Sequence, residues 1–364
     1  MFQLSVWSVY LILLLLSILN VARVKIPNAF NLSFSFLLIA FLSVIVFIFA
    51  PDFSRDYLLF KNWYELVPEE KFGLSWVSLK DPAFFFFATI FNSLGLSYAV
   101  MNFAYCLISL VTIFYIFNLK EYRKYLFFIS LIYVSRFYLG HEFTQIRFAV
   151  AISLSTMAYV FLTQGKNIKF FIFVVLALSF HLSAALIIIP LLSRFLPRER
   201  KGRSFIIIFI MFIFSFLLIF DTSSLTFLVN SIPLVAERVL PYINGSYDVT
   251  SFRILTTYFS LKLFLLLIVS FCFLREKGNV DSNFINYYYT VAISCCIHLF
   301  FKNNDALAIR IIEYFSLFDI FFMLATIDFL YIRGFLFRVD NRLIMIFIML
   351  LTVVWLLSGF KLFD

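Results

Sequence analysis

The chain has 364 residues, of which 63% are hydrophobic and only 13% charged, with a formal net charge of +9. A soluble domain is about 45–50% apolar and about 25% charged, so the composition excludes soluble classes and describes a polytopic membrane protein. The positive balance does not imply nucleic acid, because the basic residues fall in short loops between apolar runs, where the positive-inside rule places them.

A spanning helix needs about 20 apolar residues. In chain order, this predicts spans at 2–20, 31–50, 97–118, 125–139, 143–163, 204–220, 253–274, 284–300, 307–331 and 343–361. The first run lacks a basic leader and a small-residue cleavage site, so it reads as an uncleaved helix. Residues 83–95 are too few to cross alone. Residues 168–195 read as one long span or as two short helices meeting near His181. The expected fold class is an all-α polytopic integral membrane protein with about 10–12 transmembrane helices and short re-entrant or interfacial helices.

Six basic loops set the orientation. They hold Arg23 and Lys25; Lys120, Arg123 and Lys124; Lys166 and Lys169; the cluster from Arg194 to Arg203; Arg275 and Lys277; and Arg333, Arg338 and Arg342. All six are cytoplasmic if 83–95 does not cross and 168–195 goes out and returns. The expectation is a single transmembrane domain over 1–364, with external termini and external loops at 51–82 and 221–252. Loop 51–82 carries Trp63, Tyr64 and Trp76, and reads as an interfacial amphipathic segment or a substrate contact.

Arg147 and Arg310 lie inside apolar runs. An arginine at the bilayer centre costs about 2.5–3.5 kcal/mol on insertion scales, so a function is its default reading. Arginine also presents the planar fork that grips phosphate. In the topology above, Arg136, His141, Glu142, Gln145, His181, Arg253 and His298 approach the same external side. One shared polar cavity accounts for them together.

Structural alternatives stand beside this reading. Arg310 can pair with Glu313, three residues on. Arg147 can pair with Glu142 or Glu313. His181 can be a core histidine held by Ser179 or Ser183. His141 and His298 fit solvated interfacial positions, and Arg136 and Arg253 can snorkel. Lys262 and Asp319 form a possible structural pair. The four cysteines, Cys106, Cys272, Cys295 and Cys296, lie in apolar runs and read as small apolar residues.

No phosphate-binding G-x-x-x-x-G-K-[ST], zinc-binding H-E-x-x-H or D-x-D pair occurs. ATP hydrolysis and a zinc site are not supported. The expectation is no cofactor and no metal, with arginines supplying the charge that a phosphate leaving group needs.

Several short motifs follow one another in order. They are R-D-Y (Arg55, Asp56, Tyr57), D-P-x-F (Asp81, Pro82, Phe84), Q-I-R-F-A around Arg147, F-H-x-S-A (Phe180, His181, Ser183, Ala184) and R-x-x-x-Y (Arg310, Tyr314). The set resembles the EpsG-type branch of bacterial polysaccharide polymerases, which includes many Wzy O-antigen polymerases. The chain departs from that pattern where Phe148 follows Arg147 in place of glutamine, and where Ala83 replaces a common glycine.

The resemblance implies a multi-pass protein of the bacterial inner membrane that joins repeat units on its external face. A growing chain on undecaprenyl pyrophosphate would move onto a new lipid-linked unit. Arg147 and Arg310 would bind pyrophosphate or sugar, with Arg55, Arg136, Arg253, Gln145 and Tyr314 beside them. His181 is the first choice of general base, with Asp56 and Glu142 as alternatives. The partners expected are the undecaprenyl-pyrophosphate-linked oligosaccharide, membrane lipids and a chain-length regulator protein. An O-antigen ligase or another polyprenyl-linked glycosyltransferase would use the same cationic cavity. A flippase would need cationic access from both faces, often in symmetric halves.

Overall fold

The computed structural model describes residues 1–54, 56–67, 81–196, 211–212, 215, 257–275, 280–301, 311–333 and 341–361. Among the described residues there are helices and turns and no strand. In hydrocarbon every backbone polar group must be satisfied internally, which a helix does within its own segment. The chain is therefore an all-α polytopic membrane protein.

Two compact units divide it. The first comprises Met1–Ile187 with Leu330–Asp364, and the second Ile188–Phe329.

In the first unit, α1 (Phe2–Val21) and α2 (Asn28–Phe53) are followed by a short α3 (Tyr57–Leu66) and α4 (Pro82–Ser93). Next come α5 (Tyr98–Phe117), α6 (Leu126–Tyr133), α7 (Ile146–Thr163) and α8 (Asn167–Phe180), with α13 (Asn341–Phe360) closing the unit. Helices α1, α2, α5, α7 and the run Arg342–Phe360 are each long and apolar enough to cross a membrane. The 12 residues of α4 reach only about 18 Å against a hydrocarbon core of about 30 Å, so this helix cannot cross alone.

Two faces of α1 show how the sequence sorts itself. Val6, Val9, Tyr10, Leu13 and Ser17 recur at helical spacing and are buried. Leu4, Leu11, Leu15 and Ile18 are apolar yet exposed, which suits a lipid-facing side. Helix α7 differs, burying every side chain from Phe148 to Val160. Its small residues, Ala149, Ala151, Ser153, Ser155 and Ala158, let α5 and α8 pack closely on it.

Polar side chains pin this unit together. Asn20 donates to the Lys124 carbonyl at 3.0 Å and accepts from the Phe128 amide at 3.1 Å, satisfying an orphan N–H in the first turn of α6. Tyr138 donates to the Leu42 carbonyl at 2.7 Å. Tyr10 and Thr352 share a 2.9 Å bond between α1 and α13. A Cβ at Gly359 would sit 3.0 Å from Leu139 Cδ1, so glycine permits the close approach of α13.

Helix α6 continues through a π-helical turn, Val134–Tyr138, and a last turn, Leu139–His141. This carries the expected 125–139 span two residues further. Segment 168–195 resolves into α8, which ends at Phe180, and a 3-10 turn over Leu182–Ile187. The break falls at His181, whose backbone is extended (φ −160°, ψ 132°).

The second unit holds α9 (Ile188–Ser193), α10 (Thr257–Arg275), α11 (Ser282–Phe300) and most of α12 (Ser316–Arg333). The expected span 307–331 is helical from Ser316 on, after a turn at Tyr314 and Phe315. The span 204–220 lies almost entirely outside the described residues, as do the loop 221–252 and most of the basic cluster after Arg194.

The expected pair of Lys262 and Asp319 is present in this unit. Nζ lies 2.9 Å from Oδ2, and both side chains are 1% exposed. Ser294 accepts from Lys262 at 3.3 Å, and Tyr258 donates to Asp319 at 3.2 Å. Removing one partner of a buried pair strands the other charge and costs about 3–5 kcal/mol, whereas apolar replacement of both is often neutral. Lys262→Met and Asp319→Leu should therefore each lower the yield and melting temperature of the detergent-solubilised protein. The double variant should recover both. A double variant no better than the singles would assign the stability to the separate hydroxyl contacts.

Candidate active site around Arg147

Arg147 is the second residue of α7. A cation in the first turn opposes the helix macrodipole, so helix stability does not explain it. Its guanidinium instead meets a carboxylate brought by another element. Nη1 donates to Oδ2 of Asp81, with the two side chains 12% and 5% exposed. The counter-charge expected from Glu142 or Glu313 comes from Asp81, 66 residues away in sequence.

Asp81 is the residue before Pro82, at the N-cap of α4. Proline at the first helical position and aspartate before it are ordinary start signals. Yet the Asp81 side chain makes no cap bond, because its carboxylate is turned to Arg147. Three aromatic rings enclose the guanidinium: Phe60 at 4.0 Å, Trp63 at 5.3 Å and Phe84 at 5.7 Å. Their faces attract the cation and keep water from the ion pair. Helix α3, read as interfacial or substrate-contacting, thus supplies two walls of this box.

Asp81 takes only one end of the fork. Nε of Arg147 is buried and makes no hydrogen bond with a described residue. The carboxamide oxygen of Gln145, at the N-cap of α7, is in the same condition. The Gln145 side chain makes no cap bond to the first turn of α7. A helix N-terminus without a cap bond from its own N-cap side chain, an arginine edge and an aromatic wall together make a place suited to an anion.

His181 reaches this region through Phe148, the neighbour of Arg147. The Phe148 ring meets the His181 ring edge-on at 5.4 Å, and the His141 ring at 5.7 Å. Nδ1 of His181 lies 2.8 Å from Ser183 Oγ and accepts the Ser183 amide N–H at 3.2 Å. An Nδ1 that accepts leaves the proton of a neutral imidazole on Nε2. That tautomer carries an N–H donor at Nε2.

Glu142, an alternative base, is fully enclosed. Its Oε1 accepts from Ser109 at 2.8 Å and from the Tyr133 hydroxyl. Ser109 lies in the middle of α5, so this carboxyl sits within the helical packing. Asp56 is half-buried at the start of α3, beside Tyr57, whose ring packs on Tyr98 at 4.8 Å. Asp56 is the N-cap residue of the helix that supplies Phe60 and Trp63 to the box.

Two sequence expectations are corrected here. His141 and His298 are 3% and 5% exposed, not solvated. The longer α6 carries His141 between Phe137 and Phe148, and the His298 ring stacks on Phe259 at 4.3 Å in the second unit. Arg136 is half-buried in the π-helical turn, with its guanidinium over Phe137 at 5.3 Å. Tyr314 is buried against Phe315 in the second unit. Arg55, Arg253 and Arg310 lie outside the described residues.

Over residues 32–362, nearly the whole length, the sequence matches the EpsG family. The chain belongs to the EpsG family. No curated protein and no solved structure matches it. Membership makes this a multi-pass membrane protein with a polysaccharide polymerase-type, glycosyltransferase-like role. In this EpsG protein the motif residues Asp81, Arg147 and His181 gather in one unit. Of the motif pair that carries Arg310, only Tyr314 is described, in the other unit.

Proposed function

We propose that this EpsG-family protein is a bacterial polysaccharide polymerase, making O-antigen, capsule or exopolysaccharide. It joins undecaprenyl-pyrophosphate-linked repeat units on the external face of the cytoplasmic membrane. The observation that carries the reading is Arg147, tethered at Nη1 by Asp81 in an aromatic box, with its Nε making no hydrogen bond to a described residue.

The chemistry follows from these groups. The growing chain leaves undecaprenyl pyrophosphate as its anomeric carbon–oxygen bond breaks. A new bond forms from a hydroxyl of the incoming unit to that carbon. Negative charge collects on the leaving pyrophosphate, and fixed donors aimed there lower the barrier. Arg147 supplies a charged donor, and His181 supplies a neutral one from Nε2. Asp56, at the N-cap of the helix that supplies Phe60 and Trp63 to the box, is assigned to take the acceptor proton, a role that needs hydrogen-bond reach. Pyrophosphate charge is carried by arginine, so the reading is metal-independent. Arg310, Arg253 and Arg55 remain proposed substrate contacts, and a chain-length regulator a proposed partner.

A strain lacking the gene tests the reading. It should accumulate single repeat units on the lipid carrier and lose long polymer. Restoring the wild-type gene should reverse both, and an impermeant thiol reagent should label a cysteine placed at position 181 in intact cells. Polymer that stays on the carrier but is never transferred to lipid A would point instead to a ligase.

A further inference from the structure

Glu142 stands three residues before Gln145, the N-cap of α7, in the turn that delivers Arg147. Its Oε1 accepts from Ser109 Oγ of α5 at 2.8 Å and from the Tyr133 hydroxyl at the end of α6. Glu142, Ser109 and Tyr133 are each 0% exposed, so this carboxyl touches protein and not substrate.

A plain helix does not make this contact. Nine residues of α-helix would set Tyr133 and Glu142 about 13 Å apart along the axis and on opposite faces. The π-helical turn at Val134–Tyr138 and the turn that follows His141 bring them together. Such π-turns are rare and gather at functional sites. From the clamped carboxyl the path to Arg147 is short and hydrogen-bonded throughout. The Glu142 and Phe143 amides donate to the Tyr138 carbonyl at 3.0 and 3.2 Å, and the Gln145 amide to the His141 carbonyl at 3.0 Å. The Ala149 amide then donates to the Gln145 carbonyl at 2.9 Å and opens α7. Stability alone does not ask for a carboxyl here, because buried polar groups cost free energy that apolar side chains of the same shape avoid.

We propose that Glu142 is a positioning residue: it clamps the turn at 142–145 to α5 and α6, and so sets where the Arg147 guanidinium points. The proposal rests on the polymerase reading for what Arg147 does, and it removes Glu142 from the candidate bases.

The test uses the full chain, in cells and in detergent. Glu142→Gln keeps an acceptor oxygen for both hydroxyls and should make polymer at near the wild-type level. Glu142→Leu strands the two hydroxyls, so its abundance should fall with its activity. The triple variant Glu142→Leu/Ser109→Ala/Tyr133→Phe removes those hydroxyls too and should regain normal abundance and melting temperature. Its polymer synthesis, scaled to protein in the membrane, should stay about 10²-fold down, the cost of a catalytic group displaced by about 1 Å. Adding Arg147→Lys should then cost little more, because the guanidinium is already off its aim. Wild-type synthesis by the triple variant would show a purely structural network and overturn the proposal. A full further loss of about 10²–10³-fold on adding Arg147→Lys would do the same, since Glu142 would then act independently. An inactive Glu142→Gln at normal abundance would make the carboxyl a proton carrier and also overturn it. If the triple variant fails to reach the membrane, Tyr133→Phe replaces it in the same cycle with Arg147→Lys, and additive losses there would sink the clamp. Binding in detergent reads the aim of Arg147 without polymer. The triple variant should hold farnesyl pyrophosphate about tenfold more weakly than wild type, the loss expected for a hydrogen bond to a charged group. Equal affinity would overturn the proposal. Weakened binding beside normal polymer in Arg147→Lys would leave the clamp standing and remove the polymerase reading.

Discussion

Arg147→Lys is expected to cut polymer synthesis about 10²–10³-fold, the usual effect of losing a fixed donor to a developing anion. The protein should still reach the membrane in normal amount. Lysine keeps the charge and can still meet Asp81, but it has no second edge once that contact is made. Its ammonium is a point charge where arginine offers a fork. Asp81→Asn should act differently. It removes the counter-charge of a guanidinium that is only 12% exposed. A stranded buried cation costs about 3–5 kcal/mol, so this variant should fall in abundance as well as activity. The double variant Asp81→Asn/Arg147→Gln should recover abundance and stay inactive. Polymer length on gels, normalised to protein in the membrane, reads both effects. If the double variant makes full-length polymer, the pair is a structural tie between α4 and α7 and binds no substrate.

Much of this arrangement is visible in the sequence, for reasons that differ by residue. Arg147 declares itself because a cation in an apolar run is costly wherever the fold puts it. Lys262 and Asp319 declare each other for the same reason, since neither can stay single in hydrocarbon. The break at His181 is legible because 168–195 is too long for one ordinary span. Asp81 is harder. Its motif is plain, but an aspartate before proline is already explained as a helix start, and nothing in the spacing shows its carboxylate turned to a residue 66 positions on. His141 and His298 look solvated because they fall at the ends of apolar runs. The π-helical turn lengthens α6, and phenylalanines close over both rings.

The sharpest remaining distinction concerns His181. If its Nε2 donates a hydrogen bond to the leaving pyrophosphate, His181→Ala should lose activity about 10²–10³-fold. His181→Gln should then retain a large part of it, because a glutamine amide also donates from a comparable distance. A general base predicts the opposite. Glutamine accepts no proton at neutral pH, so His181→Gln would fall as far as alanine, about 10²–10⁴-fold. The Ser183 contacts to Nδ1 favour the first outcome, since they leave the proton on the other nitrogen. Asp56→Asn completes the test. With histidine as donor, the acceptor proton needs another destination, and this carboxylate should carry the 10²–10⁴-fold loss expected of a base, at about normal protein abundance. Polymer synthesis by the three variants, each scaled to its protein level, decides between the assignments. Full activity in Asp56→Asn together with an inactive His181→Gln would return the base role to the imidazole.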